Sequence, residues 1–115
     1  MHEFYIALSI VETAELEVKK AGGNLVEEIV LEIGDLAGVE EEALEYAWEE
    51  AVKQTILEKA RCTIEKKSGI ARCLNCQQEF TLSFAYDICP SCNGFRKELL
   101  QGKEIRIRSL TILYN

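Results

Sequence analysis

The chain has 115 residues, 48% of them apolar, 29% charged and 8% aromatic, and a net charge of −7 at pH 7. That balance fits one globular domain, or one domain carrying a small module, and argues against a disordered chain. No apolar run approaches the roughly 18 residues of a membrane span, and the short FYIALSIV run follows Glu3 instead of a basic leader, so the chain reads as cytoplasmic with no membrane partner.

The predicted elements follow in order. Residues 3–21 set Phe4, Ala7, Leu8, Val11, Ala14 and Val18 at the i, i+3, i+4, i+7 spacing of an amphipathic helix. Glu3 in its first turn and Lys19 and Lys20 in its last suit the helix dipole, and Gly22 and Gly23 stop it. Residues 24–34 alternate, with Ile29, Leu31 and Ile33 on one face and Glu28 and Glu32 on the other, the pattern of a half-buried strand. Gly34 and Gly38 bracket a turn. The helical period returns over residues 40–57, with Leu44, Ala47, Trp48, Ala51, Thr55 and Ile56 on one face and Glu40, Glu41 and Glu42 at the start. Arg61–Lys67 reads as a short strand with Cys62 and Ile64 inward. Ile105–Leu113 reads as another, and its inward phase changes near Ser109, where a β-bulge accounts for the change.

Between those last two strands lies CLNCQQEFTLSFAYDICPSC, from Cys73 to Cys92. Two Cys-x-x-Cys knuckles can each aim both sulfurs at one point, and Cys73, Cys76, Cys89 and Cys92 together supply the four thiolates of a tetrahedral Zn²⁺ site. The competing reading is two disulfides or inert buried thiols, which the twinned spacing and a reducing compartment disfavour. A closed site of this kind has no open coordination position, so it reads as structural rather than catalytic. A segment this short cannot bury enough apolar surface to fold alone, whereas zinc binding to such peptides is worth roughly 10 to 16 kcal/mol in apparent terms. The fifth cysteine, Cys62, reads as a core residue.

Charge is unevenly spread. Residues 1–58 hold 15 acidic and 3 basic side chains, and residues 59–115 hold 5 acidic and 10 basic. Four thiolates on one Zn²⁺ would reduce the positive balance of the second half to roughly +3, a weak footprint for a phosphate backbone, so nucleic acid is not an expected partner.

The only histidine, His2, follows Met1 directly. The Met1 amine, the His2 backbone nitrogen and the imidazole Nδ1 can close two chelate rings in one plane, an arrangement that favours Ni²⁺ or Cu²⁺ over Zn²⁺. Glu3 and Glu40 are further candidate ligands. The plain alternative is a solvated terminal histidine.

The opening MHE, the central IGDLAGVEEEALEYAWE, the two cysteine knuckles and the closing ELLQGKEIRIRSL together resemble the HypA family of hydrogenase-maturation and nickel-insertion proteins, in the family's order and over nearly the whole chain. The resemblance implies an α+β fold: two helices packed on a small three-stranded sheet, with an inserted four-cysteine zinc-ribbon lobe. The corresponding domains are 1–67 with 104–115 for nickel and 68–103 for zinc. It further implies a nickel metallochaperone, not an enzyme, that takes Ni²⁺ as cargo through Met1, His2 and Glu3 and keeps a structural Zn²⁺ on Cys73, Cys76, Cys89 and Cys92. Its implied partners are the GTPase HypB and the hydrogenase large subunit or its maturation complex, with urease a second destination in some bacteria. A homodimer stays open. The chain departs from the family pattern at Glu41, near which a proline is common, and at Trp48, where phenylalanine is common, and both changes read as packing variants. Two other classes compete: a zinc-ribbon module for nucleic acid or a transcription complex, and a thiol redox protein, which would need a low-pKa cysteine at a helix start.

Overall fold

The computed structural model describes residues 2–115. Met1, one of the expected nickel ligands, lies outside the described residues. The described residues divide into two units, the first made of residues 2–31, 39–65 and 106–115, the second of residues 32–38 and 66–105.

In the first unit, helix α1 (His2–Ala21) buries Ala7, Ile10, Val11, Ala14 and Val18 and packs against the second helix. Leu8, expected inside, is exposed, and Ile10 takes its place. The helical rotation explains the exchange. Leu8 lies about 100° around the axis from Ala7, whereas Ile10 lies only about 60° away on the other side. The helix ends with Gly22 at φ +75°, the N–H of Gly22 donating to Lys19 O and that of Gly23 to Val18 O, a Schellman stop that needs a residue free to adopt left-handed φ.

Strand β1 (Leu25–Gly34) is the centre of a three-stranded sheet in which β2 (Arg61–Lys67) and β6 (Ile105–Leu113) flank it. Ile29, Leu31 and Ile33 are all buried, as the alternation predicts. Glu32 is a correction: it was expected on the solvated face and is buried, with Lys67 Nζ 3.3 Å from its Oε2 to offset the charge. On β6, Ile107, Leu110 and Ile112 are partly buried and Ile105 is exposed, so the change of phase falls between Ile107 and Leu110.

Helix α2 (Glu41–Ala51) buries Leu44, Ala47, Trp48 and Ala51, but it stops well short of residue 57. Apolar spacing alone does not hold the helix past Val52. Gln54 adopts φ 62°, and the Thr55 hydroxyl donates to Val52 O at 2.7 Å and accepts from Leu57 N at 3.1 Å, so local bonds replace the helical ladder. Val26 N donates to Ile56 O, and Leu57 drops fully into the core.

The second unit holds three short strands that the sequence pattern does not reveal: β3 (Gly69–Cys73), β4 (Glu79–Leu82) and β5 (Lys97–Gln101), in the order β4-β3-β5 with antiparallel pairing. Arg72 stands opposite both Glu79 and Glu98 and pairs with each, at 3.5 Å and 2.9 Å. Its core is small: Ala71, Cys73, Phe80, Leu82 and Cys89, with Leu36 and Cys76 against it. Residues 32–38, assigned from sequence to the other domain, cluster here because their backbone is tied into this unit, with Gly34 N donating to Glu104 O, Asp35 N to Lys67 O and Leu36 N to Gly102 O.

Candidate metal centre

The two knuckles are built alike. Gln77 N donates to Cys73 O at 2.9 Å and Asn93 N to Cys89 O at 2.8 Å, while Cys73 N donates to Gln78 O and Cys89 N to Gly94 O. The fifth residue of each, Gln77 at φ 68° and Asn93 at φ 59°, is left-handed, which turns the chain back on itself and brings the two sulfurs of each knuckle to the same side. Asparagine tolerates that conformation; at Gln77 nothing in the residue type announces it.

All four sulfurs lie within 4.8 Å of one another, with Cys73 to Cys92 at 3.5 Å and Cys76 to Cys89 at 3.7 Å. A regular tetrahedron with metal–sulfur bonds near 2.3 Å has sulfur–sulfur edges of about 3.8 Å. The spacing therefore fits a four-coordinate Zn²⁺ and is far too long for disulfides, whose sulfurs stand about 2 Å apart. All five cysteines are free thiols.

Electrostatics within the cluster point the same way. The N–H of Cys76 chiefly, helped by that of Asn75, draws the Cys73 thiol down to about 7. At Cys92 the N–H of Gly94 favours the thiolate, but the Cys73 sulfur, burial and the other two sulfurs together outweigh it and push the thiol up to about 12. The second pair repeats the pattern: Cys89 goes down, its burial opposed by the N–H groups of Cys92 and Ser91, and Cys76 goes up, the N–H of Gln78 outweighed by burial and by the Cys89 sulfur. In each close pair, one sulfur is thus drawn toward the thiolate and its neighbour away from it. A dication is what allows all four to ionise together.

Two residues escape sequence reasoning. Gly94 packs against the cluster so closely that a Cβ there would stand 3.1 Å from Cys92 Sγ and 3.3 Å from Cys73 Sγ. Asn75 donates its N–H to Cys73 Sγ at 3.4 Å. A glycine two residues after the last cysteine was the only available signal.

At the other end of the chain, His2 is the first residue of α1 and its side chain is 65% exposed. Its Nδ1 lies 3.7 Å from Glu3 Oε2. The same carboxylate oxygen accepts the backbone N–H of Glu40 at 3.2 Å, which holds the Glu3 carboxyl below its usual range. So Glu3 joins the start of α1 to the residue that precedes α2, and the recorded contact to Glu40 is through its backbone rather than its carboxylate. Among the described residues, the four cysteines are the one cluster of three or more metal-ligating side chains. No helix among them is long and apolar enough to cross a membrane.

Comparison with known proteins gives a consistent family. The family model described as hydrogenase/urease nickel incorporation, metallochaperone, hypA matches residues 1–112. The hydrogenase maturation factor HypA of Geotalea uraniireducens is 42% identical over 112 residues, covering 97% of this chain and 99% of that protein. That of Parabacteroides distasonis is 41% identical over 112 residues, covering 97% of each. In fold, the chain is similar to the solution structure of the Ni metallochaperone HypA from Helicobacter pylori, with a TM-score of 0.73 at 23% identity over 98% of both chains. A second HypA solution structure matches with a TM-score of 0.73 at 24% identity, over all of this chain and 98% of that one.

Proposed function

Since the chain belongs to the HypA family of nickel-incorporation metallochaperones for hydrogenase maturation, we propose that it carries Ni²⁺ at its amino terminus through Met1, His2 and Glu3 and holds a structural Zn²⁺ on Cys73, Cys76, Cys89 and Cys92. The observation that carries the nickel reading is the position of His2 at the first turn of α1, exposed and with Nδ1 beside the Glu3 carboxylate. The first backbone N–H groups of a helix have no partner within it, so giving up the His2 amide proton to a metal breaks no helical bond. Glu3, anchored by the Glu40 N–H, keeps its negative charge next to the imidazole. Zn²⁺, where the geometry fits it, supplies a tie between the two knuckles. The His2 imidazole, by contrast, is exposed, so protons compete with the metal there as pH falls, which suits a cargo that must leave.

Delivery is to [NiFe]-hydrogenase, with urease a second destination consistent with the family description; the proposed partners, which the family resemblance implies, are the GTPase HypB and the hydrogenase large subunit or its maturation complex. Location in the cytoplasm follows from that work.

Nickel titration of the untagged chain by absorption spectroscopy tests the site. His2→Ala is expected to lose the absorption of planar nitrogen-bound nickel while its zinc content is unchanged. Undiminished nickel binding by that variant would remove His2 from the site.

A further inference from the structure

We propose that the second unit carries a docking groove for an acidic segment of a protein partner, one that sets carboxylates around an apolar anchor. The groove has a volume of about 450 Å³ and lies beside the first knuckle and strand β5, lined chiefly by Leu74, Phe95, Arg96, Lys97, Leu99 and Lys103. Its apolar part is open to solvent: Phe95 is 67% exposed, and Leu74 and Leu99 are exposed as well.

The pairing of charges in this unit singles the groove out. Its carboxylates are engaged elsewhere: Glu32 with Lys67, Asp35 with Lys66, Glu79 and Glu98 with Arg72. Asp87 accepts the N–H groups of Ser83 and Phe84, and Glu104 accepts that of Gly102. These pairings use Lys66, Lys67 and Arg72. The three cations of the unit outside them, Arg96, Lys97 and Lys103, all line the groove. Lys97 lies over the Phe95 ring, its Nζ 5.0 Å from the centroid, and donates to Phe95 O, so even this cation is met only by an aromatic face and a carbonyl.

Three unmatched cations around exposed Phe95, Leu74 and Leu99 are complementary to a short peptide with carboxylates flanking an aromatic or aliphatic side chain. A nucleic acid fits less well. Three cations neutralise few phosphates, and the chain as a whole carries −7, which repels a long polyanion while a short peptide feels mainly the charges within a Debye length of about 8 Å. The groove also borders the cysteine cluster, since Leu74 lies inside the first knuckle and its N–H donates to Arg96 O at 3.0 Å.

The test is a ¹⁵N NMR titration of the full chain with the peptide Glu-Glu-Leu-Glu-Phe-Glu-Glu, run beside the same peptide with lysine at every glutamate. Expected are shifts confined to the amides of Leu74, residues 95–99 and Lys103 with the acidic peptide, and a decline in affinity as salt rises. Phe95→Ala should weaken binding about tenfold, as for a buried aromatic anchor. The triple variant Arg96→Glu, Lys97→Glu, Lys103→Glu alters side chains outside the core, and it should lose at least tenfold for the acidic peptide and bind the basic one in its place. Absence of shifts at millimolar peptide, shifts spread away from the groove, or equal binding by the triple variant would overturn the proposal. Tighter binding of an oligouridylate at the same amides would overturn it in favour of a nucleic-acid face.

Discussion

Gly94→Ala is expected to weaken zinc binding by about 5- to 150-fold while leaving the helices and the first sheet intact. Gly94 does not occupy a left-handed conformation, so an alanine costs space rather than backbone strain. The new Cβ would stand 2.5 Å from Asn75 Nδ2, 3.1 Å from Cys92 Sγ and 3.3 Å from Cys73 Sγ. Asn75 can swing its amide away, because that atom ends a flexible side chain. The two sulfurs have less freedom: each must give by a few tenths of an ångström, and a Zn²⁺ held by all four cysteines would fix them from the other side. Nor can Gly94 retreat freely, since its carbonyl accepts Cys89 N at 2.9 Å and so closes the second knuckle. Overpacking of this kind costs about 1 to 3 kcal/mol, and at about 1.4 kcal/mol per decade that gives the stated range. Competition with a chromogenic chelator measures the affinity, and circular dichroism monitors the fold. Combining the change with Asn75→Ala removes the nearest clash and leaves the sulfur crowding. Recovery of affinity in that double variant, or a Gly94→Ala affinity within twofold of the parent chain, would refute the reasoning.

Two further predictions concern the first unit. Leu57→Ala should destabilise the chain by about 2 to 5 kcal/mol in urea unfolding, the usual cost of emptying a fully buried leucine site, although Leu57 lies outside both helices and every strand; a loss below about 1 kcal/mol would show that the site collapses around the smaller residue. Cys62, whose thiol is pushed up to about 11 by burial and then by the charge of Glu45, makes stability pH-dependent on the alkaline side. The unfolded thiol ionises first, near its ordinary value of about 8.5, so the contribution is fully present below that pH and lost as pH rises toward 11. Urea midpoints measured across that window should fall more steeply for the parent chain than for Cys62→Ala, and parallel curves would count against the burial of this thiol.

What could be read in the sequence was whatever repeats with a period or carries its own chemistry. Helix α1, strands β2 and β6 and the inward residues of β1 follow from spacing, and the four cysteines announce their convergence because two x-x gaps leave few other uses for them. The overrun of α2 has a physical source: Thr55 and Ile56 continue the apolar spacing, and the stop comes from a left-handed glutamine and a threonine hydroxyl, neither of which breaks a helix by composition. Glu32 was misplaced for a related reason. A charged residue in an alternating strand reads as solvated unless its partner is known, and Lys67 is 35 residues away in sequence.

The sheet of the second unit was hidden more deeply. EFTL does alternate and buries Phe80 and Leu82, but four residues are too short a run to stand out, and KELLQ shows no alternation at all; both are placed by the knuckles at their ends. Cys73 is both the last residue of β3 and the first of a knuckle, and Cys73 N bonds to Gln78 O just before β4 begins at Glu79. The turn that aims the sulfurs is therefore also the hairpin turn that sets the register of β3 on β4. Metal geometry and strand pairing are one constraint in this unit, which is why a change at Gly94, outside every strand, should reach the sheet, and why the groove beside Leu74 should lose its shape with the cluster.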